Sequence, residues 1–286
     1  MRLLNKLTVA ALLLTSISAS ASSVWKVTKD NNTVYIGGTI HILKQENFPL
    51  PAEYDQAYSQ ADELYFETDI EATKSAAFQQ KMMSKIILTD GSTLESYLKP
   101  ETFNALKTHI QARGLPIENF QPLKPSAVAL MLSVMEYQAN GFLQEGVDAF
   151  YANKATKDGK AQGWLESVDE QLDFIANMGQ GDEDNLIKYT LEELGNMSSL
   201  LDQLLAVWKS GDMVKMNDLV IENMQDSSSE LYDDLLKDRN NNWMPKIIEM
   251  FEDKDTEFVL VGLAHLAGKD SVLQQLKARG YKIEQL

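Results

Sequence analysis

The chain has 286 residues, no cysteine and a formal net charge of −16, from 42 acidic residues against 26 lysines and arginines. This charge argues against nucleic acids and anionic lipids as partners, because proteins bind both through clusters of lysine and arginine. Without cysteine there are no disulfides and no thiolate metal ligands, so packing must stabilise the fold and other side chains must bind any metal.

The first 21 residues have the pattern of a secretory signal peptide. Two basic residues precede an apolar run over residues 7–17, and the small-x-small sequence Ala-Ser-Ala follows at residues 19–21. A membrane-spanning helix needs about 20 apolar residues, so this run is too short for a stable membrane anchor. We therefore expect cleavage near Ala21, a mature chain over residues 22–286, and a periplasmic or secreted protein.

The start of the mature chain predicts a β-hairpin. Residues 24–27 and 33–36 are rich in β-branched and aromatic side chains, and the Asp-Asn-Asn sequence at residues 30–32 is typical of a tight turn. The glycine pair at residues 37–38 is predicted to end the second strand, because glycine weakens strand interiors.

The long middle of the chain is predicted to be mainly helical, with two short strands. The strands are predicted at residues 63–68, with the sequence ELYFET, and at residues 163–166. Helices are predicted over residues 54–61, 72–88, 101–113, 125–139, 146–159, 168–178 and most of 184–250.

The end of the chain returns to β-structure. Glu257–Gly262 is an apolar, β-branched run that predicts a buried strand, a helix follows over residues 270–279, and residues 281–283 predict a closing strand. We therefore expect one α/β (α+β) domain over residues 22–286. Its central mixed sheet is built from the N- and C-terminal parts and is wrapped by the helical middle region.

Two of the three histidines occupy matching local contexts. His41 ends the sequence Gly-Thr-Ile-His after the second strand, and His265 ends Gly-Leu-Ala-His after the strand at Glu257–Gly262. A glycine at a strand end lets the backbone turn sharply or approach a ligand, and ligands of open α/β sheets bind beyond the carboxyl ends of strands. We expect both histidines to point into one crevice, whereas His109 lies in a polar helix and is assigned no role.

Acidic residues after two other predicted strands complete a candidate metal site. Glu67 follows the ELYF segment with Asp69 as its rival, and Glu166 ends the strand at residues 163–166. If these strands are parallel neighbours, Glu67 converges with His41 and His265. Two imidazoles and a carboxylate form a common ligand set for divalent transition metals. Glu67 is expected to be a ligand or general base, and Glu166 a further ligand or base.

Arg239 is a candidate for contact with the substrate. In a continuous helix, Leu235, Arg239, Trp243 and Ile247 share one stripe at i, i+4 spacing. A guanidinium on an apolar stripe either packs its stem beside Trp243 and reaches solvent, or points at an anion. Both readings stay open, and Pro245 predicts a break or kink nearby.

Together these features resemble the TraB/GumN family, which includes the animal Tiki metalloproteases. The likeness covers essentially the whole mature chain and depends most on the paired motifs GGTIH and VGLAH. It implies a central sheet wrapped by helices, as in erythromycin-esterase-like proteins, and a metal-dependent peptidase built on the two Gly-x-x-His motifs and the glutamate. Other positions that match the family pattern are Gly146, Asp148, Glu166, Gln171, Arg239, Asn240 and Trp243.

The first hypothesis is an exported metallohydrolase, a peptidase, that acts on a peptide or small-molecule substrate. His41, His265 and Glu67 would hold a divalent ion, for which the resemblance implies manganese or cobalt and the ligand set also allows zinc. Arg239 would stabilise an oxyanion or bind a substrate carboxylate.

The alternative is a periplasmic binding protein that sequesters a peptide, a metal or haem without turnover. A third reading, a helical interaction module, predicts that replacing either His41 or His265 has no effect. The oligomeric state is left open.

Overall fold

A computed structural model describes residues 22–286, and the expected signal peptide lies outside this range. The strands are β1 (Val24–Lys29), β2 (Asn32–Thr39), β3 (Ile42–Leu43), β4 (Glu63–Phe66), β5 (Gln144–Glu145), β6 (Ala161–Trp164), β7 (Glu257–Gly262) and β8 (Lys282–Gln285). The helices are α1 (Ala52–Gln60), α2 (Ile70–Thr73), α3 (Ala76–Ile86), α4 (Pro100–Ala112), α5 (Pro125–Ala139), α6 (Val147–Asp158), α7 (Val168–Asn177), α8 (Glu183–Ser210), α9 (Met213–Met216), α10 (Glu222–Ser227), α11 (Ser229–Tyr232), α12 (Asp238–Glu249) and α13 (Val272–Ala278).

The central sheet has six strands in the order β6-β4-β7-β2-β1-β8. The pairs β6–β4, β4–β7 and β7–β2 are parallel, whereas β1 is antiparallel to both β2 and β8. The expected α/β fold with a mixed central sheet and a helical middle region is therefore confirmed. Because four parallel strands lie side by side, their carboxyl ends share one edge of the sheet.

The β1–β2 hairpin turns at Asp30 and Asn31, whose φ angles are +50° and +83°. Both residues are in the left-handed region, where asparagine and aspartate are tolerated better than other non-glycine residues. A two-residue turn of this kind matches the twist of antiparallel strands, which explains the tight reversal at this point.

The prediction that Gly37 and Gly38 end the second strand is wrong. β2 continues through both glycines to Thr39, paired in parallel with β7. A Cβ atom on Gly37 would lie 2.8 Å from Leu260 Cδ2, and one on Gly38 would lie 2.5 Å from Leu263 Cδ1. The two glycines therefore make room for neighbouring side chains within the sheet.

The sheet is covered on both faces, and β7 is buried along its whole length. Phe258 and Leu260 belong to a hydrophobic cluster with Tyr54 of α1 and Trp208 of α8. Val259, like Val261, belongs to a cluster on the other face that includes side chains from α12 and α13. Burial on both faces explains why β7 is a continuous apolar run in the sequence.

Three helical predictions need correction. The helix expected over residues 72–88 is divided into α2 and α3, because the Ser75 side chain accepts a hydrogen bond from the Phe78 N–H and caps a new helix. A π-helical turn at Asp233–Lys237 interrupts the expected stripe, so Leu235 packs in the first cluster while Trp243 packs in the second. α12 continues through Pro245 without a break.

No helix within residues 22–286 is long and apolar enough to cross a membrane.

Candidate active site

The candidate site lies at the edge of the sheet where the four parallel strands end. Glu67 follows β4, Glu166 follows β6, Gly262 ends β7, and His41 follows β2. A backbone hydrogen bond fixes the two glutamates relative to each other, since the Glu166 N–H donates to the Glu67 carbonyl at 2.8 Å. The Gly262 N–H donates to Glu67 Oε1 at 2.6 Å. The parallel order expected from the sequence therefore brings these residues together.

Gly262 marks the point where the proposed metal ligands converge. A Cβ atom built on it would lie 3.2 Å from Glu67 Oε1, 3.6 Å from His41 Nε2 and 3.5 Å from His265 Cδ2. These three side chains come from different strand ends yet surround one small volume. Glycine at this position keeps that volume free of protein atoms.

His41 is held by a carboxylate. Its Nδ1 donates to Asp148 Oδ2 at 2.8 Å, and its side chain is 58% exposed on the side of the cleft. The negative charge of Asp148 raises the pKa of His41 to about 9. Because a carboxylate only accepts hydrogen bonds, Nδ1 carries a proton, and Nε2 is the nitrogen that faces Gly262. With a pKa of about 9 the metal-free ring is also protonated on Nε2 at neutral pH, so a metal would bind there only in place of that proton.

His265 is buried, at 4% exposure, in a short 3₁₀ turn at Leu263–Leu266. Its Nδ1 donates to Asn240 Oδ1 at 2.7 Å, and the orientation of the Asn240 amide is fixed because its Nδ2 donates to the Asp270 carbonyl at 3.0 Å. Burial lowers the pKa of His265 to about 3, so the ring is neutral with its proton on Nδ1.

Arg239 occupies the centre of the site. Its Nε and Nη2 donate to Glu166 at 2.8 and 2.9 Å, and Nη2 also donates to Glu67 Oε2 at 2.7 Å. Its Nη1 lies 3.2 Å from His265 Nε2, and since a guanidinium only donates, that nitrogen must be the acceptor. The guanidinium also packs over the rings of Phe174 and Trp243, 4.5 and 4.8 Å from their centroids.

The two glutamates differ in how they are used. Glu166 binds Arg239 and also accepts from Trp243 Nε1 at 2.8 Å, so both of its oxygens are engaged. Burial opposes the ionisation of Glu67, but the charges of Arg239, His265 and His41 lower its pKa below the usual range, so it is an anion. Asp69, the rival carboxylate, instead caps α2 by accepting from the Ala72 N–H.

The donors fit a divalent metal in their chemistry. Both imidazoles donate through Nδ1 to a second residue, which is the arrangement that presents Nε2 to a metal, and Glu67 supplies an ionised carboxylate. Across residues 22–286, however, no three such side chains are grouped closely enough to hold one ion. Arg239 lies among the candidate ligands, in contact with both His265 Nε2 and Glu67.

A cleft of about 420 Å³ opens beside these residues. The polar residues that line it are His41, Glu67, Thr68, Thr73, Gln79, Asp148 and Gln171. Its other walls are apolar side chains from β4, α2, α3, α7 and β7, namely Phe66, Ile70, Phe78, Met82, Ile175 and Leu260. A cleft that combines apolar walls with convergent polar groups is a usual form of a ligand site.

Sequence reasoning placed His41, His265, Glu67, Glu166 and Arg239 at the site but gave no role to the partners of the two imidazoles. Asp148 and Asn240 are separated from their histidines by 107 and 25 residues, so spacing gives no direct signal. Asn240 directly follows Arg239, and the two consecutive residues contact the two ring nitrogens of one histidine.

This fold and site define an α/β protein with a polar His/Glu/Arg centre at the carboxyl edge of a parallel sheet segment. The family described as "TraB/PrgY/gumN family" matches residues 23–285. The chain belongs to that family, and the resemblance drawn from the paired Gly-x-x-His motifs is confirmed. No solved structure matches the chain.

Its relatives include named metalloproteases. "Metalloprotease TIKI1" of Danio rerio is 23% identical over 313 residues, which cover 92% of this chain and 63% of the relative. "Metalloprotease TIKI homolog" of Nematostella vectensis is 22% identical over 317 residues, covering 92% and 66%. "Uncharacterized protein YbaP" of Escherichia coli strain K12 is 25% identical over 248 residues, covering 86% and 89%. The chain thus spans less than two thirds of the Danio rerio relative.

Proposed function

We propose that this protein is an exported, divalent-metal-dependent hydrolase that cleaves peptides. The observation that carries the proposal is the convergence of His41 Nε2, His265 and Glu67 around Gly262, with each imidazole fixed through its Nδ1. The similarity to proteins named metalloproteases, at 22–23% identity, supports the same class of reaction.

His41, His265 and Glu67 would hold the ion, with manganese, cobalt or zinc as candidates. When bound, such an ion polarises a substrate carbonyl and lowers the pKa of water. The chain's own residues supply the rest. Glu67 is an anion and would serve as a ligand, since the charges that lower its pKa also make it a weak proton acceptor. Arg239 carries a positive charge that can stabilise a developing oxyanion.

The ion and Arg239 compete for one nitrogen. His265 Nε2 accepts from Arg239 Nη1, so it can bind an ion only after Arg239 gives up that contact. The hydrogen bonds from Arg239 to Glu166 do not involve His265, and they can keep the guanidinium beside the cleft. In this proposal Glu166 positions Arg239 and is neither ligand nor base.

The reaction is tested with a peptide library. The purified protein is stripped of metal, reloaded with Mn²⁺, Co²⁺ or Zn²⁺ alone, and assayed beside Glu67→Gln and His109→Ala. We expect cleavage by the wild type and by His109→Ala with at least one metal, and a loss of ~10²–10⁴-fold for Glu67→Gln. Peptide binding without cleavage under all three metals would instead support a sequestering protein, and a haem Soret band in the isolated protein would support haem binding.

Export is proposed from the residues 1–21 alone and has its own test. The full chain, expressed in a Gram-negative bacterium, should be recovered from the periplasm with its N-terminus near Ser22. Recovery of the uncleaved chain from the cytoplasm would contradict export without affecting the proposed chemistry.

A further inference from the structure

We propose that Asp148 is a positioning residue that orients the His41 ring, and that the lack of a side chain at Gly146 allows Asp148 to contact that imidazole. The hydrogen bond is part of the described site. Its consequence for metal binding depends on the proposed function, whereas its effect on the orientation of the His41 ring does not.

The start of α6 is docked on the segment that carries His41. β5 pairs with β3 in the register Ile42↔Glu145 and Leu43↔Gln144, immediately after His41. The Val147 N–H then donates to the Ile40 carbonyl at 3.1 Å. These backbone bonds tie the residues on both sides of His41 to the residues on both sides of Gly146.

Gly146 allows this docking because it has no side chain. A Cβ atom there would lie 2.0 Å from the Ile40 carbonyl oxygen, 2.3 Å from the His41 carbonyl carbon and 2.5 Å from its Cα. The obstacle is the backbone of Ile40 and His41, which cannot rotate away as a side chain could. The φ of Gly146 is −78°, which any residue can adopt, so the requirement for glycine is close approach and not conformation.

Within residues 22–286, the Asp148 side chain makes no hydrogen bond other than the one to His41. Its Oδ2 accepts from His41 Nδ1 at 2.8 Å, while its buried Oδ1 has no hydrogen-bond partner among residues 22–286. The carboxylate is 18% exposed and the imidazole 58% exposed, so the less accessible group holds the more accessible one. A carboxylate engaged only with a histidine, in the first turn of a helix docked on that histidine, is placed to orient the ring.

The consequence is that His41 presents Nε2 to the volume around Gly262. With Asp148 in place, Nδ1 carries a proton and is turned away from the site. Without it, the half-exposed ring is free to rotate and to place its proton on either nitrogen. Loss of a second residue of this kind typically weakens metal binding by about 10–100-fold.

The test is a double-mutant cycle with two readouts. Affinity for Mn²⁺, Co²⁺ or Zn²⁺ alone is measured for the wild type, Asp148→Ala, Asp148→Asn, Gly146→Ala, His41→Ala and the His41→Ala/Asp148→Ala double variant. Side-chain ¹⁵N resonances of the three histidines are recorded on the metal-free proteins, with His265 and His109 as internal references and thermal unfolding as the check on folding.

We expect Asp148→Ala and Gly146→Ala to weaken metal binding by about 10–100-fold, with much of the affinity recovered in Asp148→Asn, whose amide oxygen can still accept. In the His41→Ala background the stoichiometric ion is already lost, so only weak residual binding is compared there, and Asp148→Ala should not reduce it further. The resonances of His41, and not those of His265, should move in Asp148→Ala.

Equal weakening by Asp148→Ala with and without His41, or unchanged His41 resonances, would overturn the assignment. If Gly146→Ala does not fold, the comparison of Asp148→Ala with Asp148→Asn decides alone. A wild type that binds no metal while its His41 resonances respond to Asp148 as expected would refute the proposed function and leave the positioning role intact.

Discussion

Replacing Arg239 by methionine is predicted to make the protein less stable and, at the same time, better at binding divalent metal. The two effects have opposite signs because the guanidinium has two roles in the metal-free site. It neutralises Glu67 and Glu166, and it occupies His265 Nε2. General damage to the fold would instead lower both quantities.

The magnitudes follow from burial and geometry. The Arg239 side chain is 11% exposed, and those of Glu67 and Glu166 are 12% and 11% exposed. Removing one partner of a buried ion pair costs about 3–5 kcal/mol, which corresponds to a fall in Tm on the order of 10 °C for a domain of this size. Freeing His265 Nε2 from a hydrogen bond and removing one positive charge should tighten metal binding by at least about tenfold.

The assay compares wild type, Arg239→Met and Arg113→Met by thermal unfolding and by metal titration. Arg113 is the control for loss of an arginine–glutamate ion pair. It follows α4 and pairs with Glu136 of α5, outside the cleft. We expect Arg113→Met to lose some stability with no change in metal affinity. A metal affinity in Arg239→Met no higher than that of the wild type, or the same gain in Arg113→Met, would refute the competition between Arg239 and the ion.

Three further predictions concern single positions. Gly262→Ala should fold, with a loss of about 1–3 kcal/mol in the free energy of unfolding. It should lose most of its metal affinity, because its Cβ would lie 3.2 Å from Glu67 Oε1 and 3.6 Å from His41 Nε2. An affinity equal to that of the wild type in a metal titration would contradict this. Glu67→Gln should leave the Gly262 contact in place yet weaken the pairing with Arg239, lowering Tm, and an unchanged Tm would show that this ion pair contributes nothing. Glu257 is 3% exposed, and burial together with Asp253 raises its pKa from 4.5 to about 8. The protonated carboxyl of Glu257 makes its full contribution to stability below about pH 4.5, and this contribution is lost as the pH rises through 8. In urea unfolding, the free energy of unfolding of Glu257→Gln should therefore match that of the wild type at pH 5 and exceed it by about 2–4 kcal/mol at pH 8.5. Equal stability of the two proteins at both pH values would contradict the buried, protonated carboxyl.

Two elements with strong local signals are confirmed, whereas other predictions from local sequence, such as one helix over residues 72–88, are wrong. The β1–β2 hairpin and the apolar strand β7 have strong local signals, and both were expected at these places. The parallel neighbours of β7 were a conditional expectation, and the strand order confirms it. The prediction that β2 ends at Gly37 is wrong. Glycine generally weakens strand interiors, but here its missing side chain makes room for Phe258 and Leu260, which only the packed structure shows.

In the candidate site, too, the sequence predicts some residues but not the contacts between them. His41 and His265 were found because each follows a strand in the same four-residue context. The contacts of Arg239 with Glu67 and His265 join residues that are 172 and 26 positions apart, and the π-helical turn before α12 breaks the stripe on which Arg239 was placed. Tertiary packing decides these contacts, so a single sequence does not carry them.

The measurement that tests the central claim most directly is metal stoichiometry. The protein, stripped and reloaded with manganese, cobalt or zinc in turn, is analysed beside His41→Ala, His265→Ala and His109→Ala. A shared site at Gly262 predicts about one ion per chain in the wild type and in His109→Ala, and loss of that ion in each of the other two variants. Retention of the ion in either His41→Ala or His265→Ala, or no bound ion in the wild type with any of the three metals, would contradict a metal centre built on these two histidines.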